Sequence, residues 1–126
     1  MSVLNETAVK QFLAEDSGGP VVMLNLLKFA PSGGAEKYLA YLDKFATTGV
    51  QQRYGVEVVY AGTGAPYLAG DGESRDGRPW DMVALVRYPS RQHFADMIVD
   101  PDYLAFEHLR TEALTAAVLQ PTTPNG

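Results

Sequence analysis

Apolar residues follow two rhythms along this chain. Val21–Phe29, reading VVMLNLLKF, is almost continuously apolar, with Gly-Pro before it and Pro-Ser-Gly-Gly after it. Residues 80–88, WDMVALVRY, repeat that character. Short runs of this kind between turn formers suit strands buried on both faces. Between them, Gly55 restarts the chain as a strand over 56–60, extended through Gly62, Gly64 and Pro66 as far as Leu68. Residues 56–88 then read as a long antiparallel hairpin with a polar tip at 71–79.

The other rhythm has a spacing of three to four. Over 35–53, Tyr38, Leu39, Leu42, Phe45 and Ala46 make an apolar stripe, while Glu36, Lys37, Asp43 and Lys44 occupy the other faces, which predicts one main helix. A lead-in helix capped by Asn5 or Thr7 carries Val9, Phe12 and Leu13 and ends at Ser17-Gly18-Gly19-Pro20. Ser90 caps a short helix bearing Phe94, Met97 and Ile98. Asp100-Pro101 opens a further helical stretch over 102–117, leaving 118–120 for a last short strand.

The order β, α, β, β, α, β with one extra helix in front predicts an α+β fold of the ferredoxin-like kind, a single domain over residues 1–126 with the helices on one face of a four-stranded antiparallel sheet. The other face would then be bare. Yet Val22, Leu24, Leu26, Val83 and Leu85, which alternate onto it, are apolar. A second copy of the chain is the economical cover, so the pattern predicts a homodimer that completes a dimeric α/β barrel.

Composition narrows the function classes. Of 126 residues, 46% are hydrophobic and 20% charged, and none of the apolar runs reaches the roughly 20 residues that span a bilayer. With no secretion-type leader at residues 1–10, a soluble, cytoplasmic protein with no membrane partner is expected. Absence of cysteine removes disulfides, thiolate metal sites and cysteine nucleophiles. The net charge of -5, with dispersed basic residues, argues against nucleic acid as a partner. Two histidines, His93 and His108, with no close pair between them, predict no metal. Gly62-Thr63-Gly64 lacks the following helix that a nucleotide loop needs, so it is read as strand bending.

Few polar residues remain as chemical candidates. Asn25 is the polar side chain in the middle of an apolar strand: either it is satisfied internally, or its amide points into a pocket and orients a substrate carbonyl or an oxygen species. His108 and Arg110 share the last helix with Glu107 and Glu112, where exposed charge pairing such as His108 with Glu112 explains them without function. Facing inward, His108 would be a general base and Arg110 a grip for a carboxylate or enolate. Trp80, Met97 and Tyr103 complete a candidate ligand-binding set with Asn25, His108 and Arg110. Trp80 shares strand parity with Tyr88, with Asp81 and Arg87 on the opposite face. His93, in a capping turn, stays outside the set.

The runs GPVVMLNLLKF, from Gly19 to Phe29, and WDMVALVRYPSRQHFADMIVDPDYLAFEHLRTEAL, from Trp80 to Leu114, resemble the family called domain of unknown function 1330. The resemblance covers most of the chain. Its more specific pieces are LNLLKF, Arg87-Tyr88-Pro89-Ser90, and the DPDY segment at Asp100 to Tyr103 followed by Arg110. It implies the ferredoxin-like fold and the dimeric barrel, and brings no activity with it. Other dimeric α/β barrels suggest by analogy a small cofactor-independent enzyme, monooxygenase- or isomerase-like, acting on an aromatic or polyketide-like molecule. Haem-degrading relatives use a strand Asn, a helix Trp and a helix His. Asn25 matches the first, Met97 stands where the Trp would fall, and His108 lies near the third position, so Asn25 alone carries over and no cofactor is expected. The alternative is a non-catalytic small-molecule-binding or stress-related domain.

Overall fold

The computed structural model describes residues 4–70 and 78–125, so most of the expected hairpin tip lies outside the described residues. The fold is α+β and ferredoxin-like. Helix α1 (Glu6–Ala14) starts where the Asn5 side chain accepts a hydrogen bond from the Ala8 amide at 3.0 Å. It gives way to Gly18 and Gly19, whose φ of 88° and 82° are left-handed and favour glycine. Strand β1 (Val21–Phe29) follows with the predicted bounds.

The expected helix over 35–53 is two helices, α2 (Gly34–Thr47) and α3 (Val50–Arg53). Gly49, at φ 81°, breaks the run by entering the left-handed region that ends many helices. The buried stripe of α2 is Tyr38, Tyr41 and Phe45, while Leu39 is 65% exposed, so the apolar face is rotated from the one expected. Strand β2 (Glu57–Thr63) carries a register irregularity between Val58 and Tyr60, and β3 is Met82–Tyr88, starting two residues after Trp80.

Ser90 caps α4 (Arg91–Met97), its hydroxyl accepting from the His93 amide at 3.1 Å. The expected helix over 102–117 is again two pieces, α5 (Pro101–Leu104) and α6 (Glu107–Ala113). The last strand, β4 (Leu114–Thr122), has nine residues rather than three. Pairing with β1 over its whole length outweighs the modest helix preference of Ala116 and Ala117. Pro121 is tolerated because β4 is an edge strand.

The strands order β2-β3-β1-β4, all antiparallel, with β1 central: Asn25 sits opposite Ala84 of β3 and Leu119 of β4. Val21, Met23 and Leu27 of β1 join Tyr88 and the helical aromatics Phe12, Tyr38, Tyr41, Phe45, Phe94, Tyr103 and Phe106 in one core. Val22, Leu24, Leu26, Val83 and Leu85 point the other way and take no part in it. A polar clamp ties α3 to α5. The Arg53 guanidinium reaches Asp100 at 2.8 Å and Asp102 at 2.9 Å, and the Tyr54 hydroxyl donates to Asp100. Among the described residues no helix is long and apolar enough to cross a membrane.

Candidate functional site

The aromatic core does not fill the space between the helices and the sheet. A cavity of about 770 Å³ remains. Its floor is Met23 and Asn25 of β1, Val86 and Tyr88 of β3 and Leu119 of β4. One wall is Tyr38 and Tyr41 of α2, the other Tyr103, Glu107 and Arg110. Phe94 and Met97 of α4 and Asn5, Val9 and Phe12 of α1 close it from above. Helix α1 is held there by Phe12, whose ring meets Phe94 edge-on at 6.0 Å and lies under the Arg91 guanidinium at 4.7 Å.

Asn25 is in the cavity because strand alternation puts it on the same face as Met23 and Leu27. It is 7% exposed, and its Nδ2 donates to the Met23 carbonyl oxygen at 3.3 Å, so part of its amide is satisfied internally. The hydroxyls of Tyr41 and Tyr103 bond each other at 2.9 Å, tying α2 to α5.

All four tyrosines are held in the neutral form. Burial pushes the Tyr38 hydroxyl up to about 12, with the Arg110 charge opposing. Burial raises Tyr88 and Tyr103 as well, again against Arg110, and Tyr41 most plainly, where Tyr103 adds to the effect. These hydroxyls are therefore hydrogen-bonding groups at neutral pH and not bases.

Arg110 is the unusual member. Its Nη2 is buried and has no hydrogen-bond partner among the described residues.

Of the residues predicted from sequence, the fold brings Asn25, Met97, Tyr103 and Arg110 to this one cavity. His108 is exposed on the outer side of α6 and does not line it. Two positions along a helix are about 200° apart, so His108 and Arg110 cannot both face inward. Nor does Glu112 pair with His108; it binds Lys37 of α2 at 3.1 Å. Trp80 is also elsewhere, 5.3 Å from the Nζ of buried Lys28, which donates to the Arg78 carbonyl oxygen at 2.6 Å. Asp81 accepts from the Phe29 amide at 2.8 Å, and His93 bonds Ser90 at 2.6 Å in its exposed capping turn. Sequence reasoning missed Tyr38, Tyr41 and Tyr88 as cavity residues. The signal available was the i to i+3 spacing of Tyr38 and Tyr41 across from a strand asparagine. Among the described residues there is no group of three or more His, Asp or Glu that could hold a metal ion.

No protein-family model and no curated protein matches the chain. Solved structures do. The methylated RPA0582 protein is 32% identical, with a TM-score of 0.83, over 98% of this chain and 94% of that chain. A second structure of RPA0582, described as a protein of unknown function from Rhodopseudomonas palustris, is 31% identical with a TM-score of 0.82, over 98% and 96%. At 15% identity, a candidate antibiotic biosynthesis monooxygenase from Caulobacter crescentus gives a TM-score of 0.62 over 92% of this chain and 99% of that one, a likeness of fold alone.

Proposed function

The chain belongs to the family of the Rhodopseudomonas palustris protein RPA0582, and from that premise we propose that it takes a small aromatic or polyketide-like molecule into the cavity between sheet and helices and acts on it without a cofactor, in the manner of a monooxygenase or isomerase. The observation that carries this reading is the cavity itself. Its volume falls within the roughly 300–1,000 Å³ usual for small-molecule sites, with an apolar lining and a few convergent polar groups. Asn25 would orient a carbonyl oxygen of the ligand, and the neutral tyrosines would supply further hydrogen bonds. The narrower resemblance to domain of unknown function 1330 belongs to the same proposal and rests on the LNLLKF and DPDY motifs. So does the homodimer, supported by the half-buried apolar sheet face outside the core and by a ferredoxin-like neighbour from Thermobifida fusca that is described as dimeric.

One observation favours the non-catalytic alternative. With His108 outside and the tyrosines held protonated, the cavity lacks the histidine base that the sequence suggested. Native mass spectrometry of the purified protein, followed by turnover assays on whatever it carries, separates the two readings. An enzyme whose substrate is oriented by Asn25 should lose about 100-fold or more of its rate in Asn25→Ala while still unfolding cooperatively. His108→Ala should keep full rate. A carried molecule that is bound but never converted would leave the binding reading standing, and an empty protein that binds no aromatic compound would remove both.

A further inference from the structure

The cavity wall holds a partly buried cation, Arg110, one nitrogen of which has no acceptor among the described residues. A guanidinium is a cation with five donors and no acceptor of its own. Its Nη2 is nevertheless withdrawn from solvent without an acceptor, and Arg110 forms no ion pair with any described carboxylate, its neighbour Glu107 one turn earlier included. A buried charged donor without a partner is among the costlier arrangements a fold can keep. The hydroxyls within its field, Tyr38, Tyr88 and Tyr103, feel it as an opposing influence on their ionisation, yet none of them bonds to it.

Resting on the reading of this cavity as a ligand site, we infer that its ligand is a hydrophobic monocarboxylic acid, whose carboxylate is gripped by Arg110 while its body lies on Met23, Val86, Met97 and Leu119. A planar carboxylate matches the guanidinium fork and supplies the acceptor that Nη2 lacks. A phosphate dianion fits less well, because Glu107 stands on the same wall and one cation would face two added negative charges. The apolar floor excludes a small hydrophilic acid, which would leave most of the 770 Å³ filled by nothing it can contact.

Titration calorimetry with 2-naphthoate and its neutral isostere 2-naphthamide tests the inference on the unmodified protein. The acid should bind more tightly by on the order of tenfold or more, the range that a charge-assisted pair supplies. Arg110→Gln should abolish that preference while retaining the amide's affinity. In the same ligand-free preparations Arg110→Met should raise the melting temperature, since it removes from an apolar wall a partly buried cation whose Nη2 has no acceptor; a merely structural arginine would lower it. Equal affinity of the unmodified protein for acid and amide, or a preference that survives in folded Arg110→Gln, would overturn the acid inference and leave the cavity as a ligand site. Failure of both compounds to bind, with nothing carried through purification, would overturn that reading too.

Discussion

Tyrosine hydroxyls set the behaviour of the core at high pH. The four around the cavity all ionise above their ordinary value of 10.0, burial being the first cause in each, and Tyr38 is pushed up to about 12. In the unfolded chain they lose their protons near 10, whereas the folded chain holds them. Between those values the unfolded state binds fewer protons, so unfolding becomes easier as pH rises. The stability contributed by these groups is complete below pH 10 and is lost from there upward through about 12 for Tyr38. Urea titrations above pH 9 should therefore show a midpoint falling steeply from pH 10, with the core phenolates appearing only as the protein unfolds. Ionisation of Tyr38, Tyr41, Tyr88 or Tyr103 near 10 in a protein still folded by circular dichroism would contradict the burial described. Asn25 was legible in the sequence because it interrupts the otherwise apolar run from Val21 to Leu27. Arg110 was legible only by its residue type, since helical direction, not composition, turns it inward and His108 outward.

Close backbone approach decides how the elements meet. Gly34, at the start of α2, sits where an added Cβ would lie 2.6 Å from the Ala113 carbonyl oxygen and 3.2 Å from the Ala30 Cβ. That same carbonyl accepts the Ala30 amide at 2.7 Å, so the strand end, the α2 N-terminus and the end of α6 share one joint. Gly34→Ala should cost about 1–3 kcal/mol by urea denaturation, because one side of the clash is backbone and cannot rotate away. A loss within experimental error would mean that the α2 N-terminus is free to shift. At this scale the sequence was read well where a single rhythm runs between two turn signals, as in β1 and α1. It misled where a helical rhythm continued through a break. Gly49 looks tolerable within a helix until its left-handed φ is known, and Leu114 to Ala117 look helical until β1 claims them as a strand. Both outcomes depend on contacts made by distant parts of the chain.

At the scale of the whole molecule, one face of the sheet is left half-buried by the described residues. Every helix contributing to the core packs on the side of Met23 and Asn25, which leaves Leu24 and its cross-strand neighbour Leu85, together with Val22, Leu26 and Val83, on a contiguous apolar face. The sheet also ends in two edges, β2 and β4, and Val58, Val59 and Tyr60 of β2 are each more than half exposed. Open apolar faces and unpaired edges both invite association, and a two-fold arrangement with a second copy would cover the face. Light scattering at micromolar concentration should then give twice the chain mass. Leu24→Glu combined with Leu85→Glu would place two carboxylates side by side on that face, and four at the centre of a dimer, where burying like charges costs far more than the apolar contact returns. The double variant should run as a monomer with its secondary structure intact. It should also keep its affinity for aromatic ligands, because the cavity lies between the sheet and the helices, against Met23 and Asn25 and not against Leu24 or Leu85. A double variant that remained a dimer would move the interface to the exposed β2 edge, and one that lost ligand binding while still folded would show that the partner shapes the cavity through the sheet.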